Sequence, residues 1–113
     1  MFYEPKKGRN ALQEISAAEL HDCIKKEQSF ALFVFTPMCG TCKLAERMLE
    51  VTSEALPAIV IKKLNINVAH GLAEQLMITS VPALLLFQKG ELVARHFAIQ
   101  SVAFLYEVLK PLV

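Results

Sequence analysis

Phe30-Ala31-Leu32-Phe33-Val34-Phe35-Thr36-Pro37-Met38-Cys39-Gly40-Thr41-Cys42-Lys43 is the stretch that decides how this chain folds. Residues 30 to 35 are apolar without alternation, the pattern of a strand covered on both faces, as strands of parallel sheets under helices are. Beyond them, Ala45, Met48, Leu49, Thr52 and Leu56 recur at helical spacing among Lys43, Glu46, Arg47 and Glu50. The spacing predicts a long helix from about Cys39 until Pro57 forbids its continuation. The pair Cys39 and Cys42 therefore lies where a buried strand turns into a long helix.

Downstream, Ile59 to Ile66 is rich in β-branched residues and reads as a second strand, which makes the segment a βαβ unit of right-handed preference. A short helix is expected from Leu72 to Met77, after a loop from Asn67 to Gly71. Ala83 to Phe87 and Leu92 to Phe97 flank Gln88-Lys89-Gly90-Glu91, where Gly90 can supply the positive φ of a tight turn, so an antiparallel hairpin is expected. Ser101 can cap a last helix whose stripe is Val102, Leu105, Val108, Leu109 and Leu112.

Upstream, Ser16-Ala17-Ala18-Glu19 reads as a capping box, with Ile15 and Leu20 placed for a hydrophobic staple. A helix then starts at about Ala17, carries the stripe Leu20, Cys23, Ile24 and Glu27, and ends before Ser29. Leu12 to Ile15 reads as a short edge strand. The expected fold is α/β, three layers, with helices on both faces of a central mixed sheet that has a parallel core and a C-terminal antiparallel hairpin.

Composition agrees with one fold. The chain has 113 residues, 54% of them hydrophobic and 20% charged, which suits a single domain over 1–113 with residues 1–11 as an N-terminal arm. Twelve basic and eleven acidic side chains leave a net charge of +1, with no broad basic field for nucleic acid or an anionic membrane. Lys6, Lys7 and Arg9 read as a solvated arm. The start lacks a signal-peptide pattern and no apolar run is long enough to cross a bilayer, so a cytoplasmic location is expected.

Three cysteines in such a chain do not suggest a disulfide scaffold, and C-x-x-C beside a βαβ unit points to redox chemistry. At a helix N-terminus, free backbone N–H groups and the positive end of the helix dipole favour a thiolate at Cys39. Cys42, one turn on, points to the same side and serves as resolving thiol. Cys39 would attack a substrate disulfide and Cys42 would then release the reduced product, with Gly40 leaving room for the substrate chain. Metal or cluster ligation and a structural role are the competing readings. A zinc site would have to draw on Cys23 and on His21, His70 and His96, which lie on separate elements, and Cys23 itself reads as a small buried hydrophobe.

Taken together, the capped helix, the apolar strand, Cys39-Gly40-Thr41-Cys42-Lys43, Lys63-Leu64-Asn65-Ile66 and Val81-Pro82 through Glu91 make the chain resemble the thioredoxin family along nearly its whole length. The resemblance implies the thioredoxin fold, a cis Pro82 beside the dithiol, and a substrate segment pairing with the backbone of Val81. Four positions depart from the family pattern. A buried acid, a tryptophan and a proline give way to Phe33, Met38 and Thr41, and a glycine after the last strand gives way to Phe97.

Phe33 implies that Cys42 lacks a nearby carboxylate base and that Lys63, the usual partner of that acid, loses its counter-ion. Release of the mixed disulfide is then expected to be slow at neutral pH and to accelerate as pH rises. Met38, Gly40, Thr41, Val81 and Pro82 form the expected substrate-binding rim. The function expected is a thiol-disulfide oxidoreductase in electron transport, acting as a monomer on disulfide-containing proteins, needing no cofactor or metal, and recharged by a thiol or disulfide reductase. The alternative is a thioredoxin-like redox sensor or adaptor with little turnover.

Overall fold

The computed structural model describes residues 12–113. The arm expected over 1–11, with Lys6, Lys7 and Arg9, lies outside the described residues. In chain order the elements are β1 (Gln13–Glu14), α1 (Ala17–Lys25), β2 (Phe30–Phe35), α2 (Gly40–Ala55), β3 (Ile61–Asn65), α3 (Leu72–Gln75), β4 (Ala83–Gln88), β5 (Glu91–His96) and α4 (Val102–Leu109).

The ends of the helices follow local chemistry. At the start of α1 the Ser16 hydroxyl accepts from the Glu19 N–H at 3.1 Å and the Ser16 N–H donates to Glu19 Oε1 at 2.9 Å. Ile15 and Leu20 are buried together beside this box, as a hydrophobic staple requires. At its other end the Gln28 N–H reaches the Cys23 carbonyl and the Glu27 N–H the Ile24 carbonyl, with Glu27 at φ 55°. That is a Schellman closure, so Glu27 leaves the core-facing stripe and turns the chain. The same closure ends α3: Met77 sits at φ 56°, and the Ile78 N–H bonds the Ala73 carbonyl at 2.7 Å. The helix expected to run to Met77 therefore stops at Gln75.

The strands form a five-stranded sheet in the order β1-β3-β2-β4-β5. β1, β3 and β2 run parallel, and β4 and β5 antiparallel to their neighbours, as the sequence reading expects. β3 begins at Ile61 rather than Ile59, because the Ile59 N–H is held in the preceding turn by the Leu56 carbonyl at 3.0 Å.

β2 lies in the middle and its side chains sort by parity, as the two-residue repeat of a strand dictates. Ala31 and Phe33 face Cys42, Ala45 and Leu49 of α2 and Leu105 and Leu109 of α4. Phe30, Leu32 and Val34 face Leu20 and Cys23 of α1 and Leu72 of α3. The unbroken apolar run is thus the signature of two cores, one on each face.

The hairpin β4–β5 turns through Lys89 at φ 52° and Gly90 at φ 83°, a two-residue turn whose hand matches the sheet twist. Its tip is docked on the end of α1. The Gly90 N–H donates to the Gln28 carbonyl at 2.9 Å, and the Lys89 N–H to Ser29 Oγ at 3.0 Å. A Cβ at Gly90 would come within 2.6 Å of the Ile24 carbonyl oxygen, so close approach as well as φ requires glycine there. Between Leu86 and Phe87 the β4–β5 register shifts at a bulge or irregularity. Ser101 caps α4 by accepting from the Phe104 N–H at 3.0 Å. Among the described residues no helix is long and apolar enough to cross a membrane.

Candidate active site

β2 ends at Phe35, and Thr36-Pro37-Met38 carries the chain to Cys39, the N-cap residue of α2. An N-cap side chain ordinarily offers an oxygen to the unpaired amides of the first turn. Here a sulfur takes that place: Cys39 Sγ accepts from the Cys42 N–H at 3.1 Å, and Thr41 Oγ1 lies 3.3 Å from the same sulfur. In the dithiol state these groups and the helix dipole favour negative charge on Cys39.

Cys39 and Cys42 are joined as a disulfide, with Cα atoms 5.2 Å apart. The two sulfurs have unequal surroundings. Cys42 is 2% exposed within the α2–sheet core, while Cys39 is only partly buried at its margin. A sulfur at the rim and a sulfur beneath it is the arrangement that thiol exchange needs, one to meet a substrate and one to displace it.

The other expected rim residues gather at this end of the molecule in two groups. Met38, at 96% exposure, and Gly40, around which a Cβ would meet nothing within 4 Å, leave open space beside Cys39. Val81 and Pro82 come from the far side of the sequence. The pairing of Val34 with Ala83 puts them just beyond the end of β2, and Val81 packs against both cores. The Val81–Pro82 peptide bond is cis.

Beneath the dithiol the structure corrects one expectation. Phe33 is fully buried and in register with Lys63 of β3, as the loss of a strand acid implies. Lys63, however, has not lost its counter-ion. Its Nζ lies 2.7 Å from Glu46 Oε2, with the two side chains 22% and 25% exposed, and 5.8 Å from the centroid of the Phe35 ring. Glu46 comes from α2, four residues after Cys42, and supplies the counter-ion that a strand acid would otherwise provide. Sequence reasoning had counted Glu46 only among the polar residues of the helix; the signal was its position four residues beyond Cys42, on the side of α2 that meets β3.

Burial, and then the Glu46 carboxylate, raise the pKa of Glu50 above the ordinary carboxylate value, against Lys63 and Arg47. Phe97 packs on the opposite, α1–α3 core. Cys23 is a buried free thiol there, and His96 packs edge-to-face on Phe104.

Comparison with known proteins points one way. A family model described as Thioredoxin matches residues 11–110. The thioredoxin-like protein YusE of Bacillus subtilis is 41% identical over 85 residues, which span 75% of this chain and 80% of that one. The thioredoxin of Chlamydia muridarum is 36% identical over 67 residues, 59% of this chain and 66% of that one. The crystal structure of thioredoxin from Trypanosoma brucei brucei superposes with a TM-score of 0.80, covering 96% of each chain at 13% identity, a likeness of fold.

Proposed function

The chain belongs to the thioredoxin family and is a thiol-disulfide oxidoreductase, and from that premise we propose that it reduces protein disulfides with Cys39 as nucleophile and Cys42 as resolving thiol. The observation that carries this reading is the asymmetry of the pair, an N-cap sulfur at the rim and a sulfur 2% exposed beneath it. The Cys39 thiolate forms a bond to one sulfur of the substrate, and the other sulfur leaves as a thiolate that takes a proton. Cys42, once deprotonated, forms its bond to Cys39 and breaks the bond from Cys39 to the substrate. The substrate gains two electrons and two protons, and the dithiol becomes the disulfide.

Met38, Gly40, Thr41, Val81 and Pro82 form the substrate rim in this reading, supported by the openness beside Cys39 and by the shared end of the sheet. Family membership implies, in general terms, protein disulfides as substrates and a reductase that restores the dithiol. We assign the work to a monomeric single domain in electron transport in a reducing, cytoplasmic setting; the single-domain part of this reading is supported by the family model's span of residues 11–110.

Reduction of insulin disulfides in the presence of dithiothreitol tests the proposal. The wild-type protein is expected to turn over many times and Cys39→Ser to fall to the uncatalysed rate. A wild type that accepts one pair of electrons and then stops would make the protein a redox sensor or adaptor instead.

A further inference from the structure

Resolution of a mixed disulfide needs a proton acceptor for Cys42. A thiol attacks as its thiolate, and Cys42 at 2% exposure has little access to bulk base. The sheet beneath it offers Phe33 and Phe35, which accept no proton. Glu46 stands at i+4 from Cys42 on α2, where side chains are neighbours with Cβ atoms about 5–6 Å apart.

The Glu46 side chain runs toward the sheet rather than into water. It is 25% exposed, and its Oε2 is held 2.7 Å from Lys63 Nζ. Lys63 is in register with Phe33, and Phe33 shares one apolar cluster with Cys42. The carboxylate is thereby fixed in the layer between helix and sheet that also contains the buried sulfur. Building on the reading of Cys42 as resolving thiol, we propose that Glu46 is the acid–base residue of the resolving step, with Lys63 as the residue that positions it.

In the mixed disulfide the Cys42 S–H gives its proton to the Glu46 carboxylate. The thiolate so formed attacks Cys39 Sγ, the bond between Cys39 and the substrate sulfur breaks, and the departing thiolate takes the proton back from Glu46. No proton or electron is left over, and no further reactant is required. The charged groups around Glu46 are Lys63 on β3, Glu14 on β1 in register with Lys63, and Lys43, Arg47 and Glu50 on α2 itself. β2 contributes none on this face, and α4 adds the Tyr106 phenol to the same cluster. The raised pKa of Glu50, caused by burial first and Glu46 second, fits two carboxylates that share Lys63.

Stopped-flow reaction of the reduced protein with Ellman's disulfide separates the two steps. The first release of thionitrobenzoate reports attack by Cys39 and the second reports displacement by Cys42. Glu46→Gln is expected to leave the first release unchanged and to slow the second on the order of a hundredfold at neutral pH, with a rate that climbs as pH rises. Glu46→Asp should recover part of the loss, and Lys63→Met, which keeps the carboxylate, should lose much less than Glu46→Gln. A second release in Glu46→Gln with the wild-type rate and pH profile overturns the proposal. So do equal losses in Glu46→Gln and Lys63→Met with unaltered pH profiles, since the ion pair would then be structural alone. A wild type with a first release and no second overturns the underlying role of Cys42, and is thereby distinguishable.

Discussion

At Glu50 burial opposes a negative charge, and the Glu46 carboxylate adds to that opposition. The folded-state pKa is therefore raised, and linkage fixes the sign of the consequence. Below the ordinary carboxylate range Glu50 is neutral whether the chain is folded or not, and it costs nothing. As pH rises, the unfolded chain loses its proton first, so stability falls until the folded carboxyl has ionised too. Glu50→Gln is expected to raise Tm at about pH 7 and to lose that advantage toward about pH 3. Thermal melts across that range check it, and a lower Tm for the variant at neutral pH would contradict it. The pairing of Glu46 with Lys63 was not legible at this scale, because a glutamate on an amphipathic helix reads the same whether its side chain extends into water or folds beneath the helix. Cys39 and Cys42 were legible because their chemistry depends on the start of a helix, which Pro37 and the preceding apolar run announce.

Among the elements, the hairpin tip carries the sharpest sequence requirement. Gly90→Ala would hold an L residue at φ 83° and drive its Cβ against the Ile24 carbonyl oxygen, 2.6 Å away, and toward Glu27 Cα at 3.1 Å. Left-handed strain alone costs on the order of 1–3 kcal/mol. The backbone contact adds to it, so a loss of at least about 2 kcal/mol is expected, read as a lower denaturant midpoint with an unchanged m-value. A midpoint equal to the wild type would show that the tip is free to move off α1. The capping box of α1 and the turn at Gly90 could be read from sequence because each is a local pattern of residue types. The ends of α1 and α3 could not. Their left-handed positions are Glu27 and Met77, where the usual glycine or asparagine signal is missing and the surrounding packing sets the backbone.

For the whole molecule, the alternation of β2 between two cores separates stability from chemistry. Leu85 is fully buried on the α1–α3 side, across the sheet from the dithiol. Leu85→Ala is expected to cost about 2–5 kcal/mol in unfolding free energy. Insulin reduction per folded molecule should stay at the wild-type value, and a drop in that specific rate would show that the two faces are coupled. The mixed sheet was readable because the apolar run of β2 and the Lys89-Gly90 turn constrain their neighbours, whereas strand limits depended on turns such as the one holding Ile59. One feature of that sheet reaches beyond folding. β1 is two residues long, and β5 meets β4 with a shifted register while presenting Glu91, Val93 and Arg95 as exposed side chains. A short border on one side and an irregular, charge-bearing one on the other make poor templates for a neighbouring molecule's strand. Among the described residues, the reactive sulfur is thus exposed without a long, regular strand edge along which copies of the molecule would accrete.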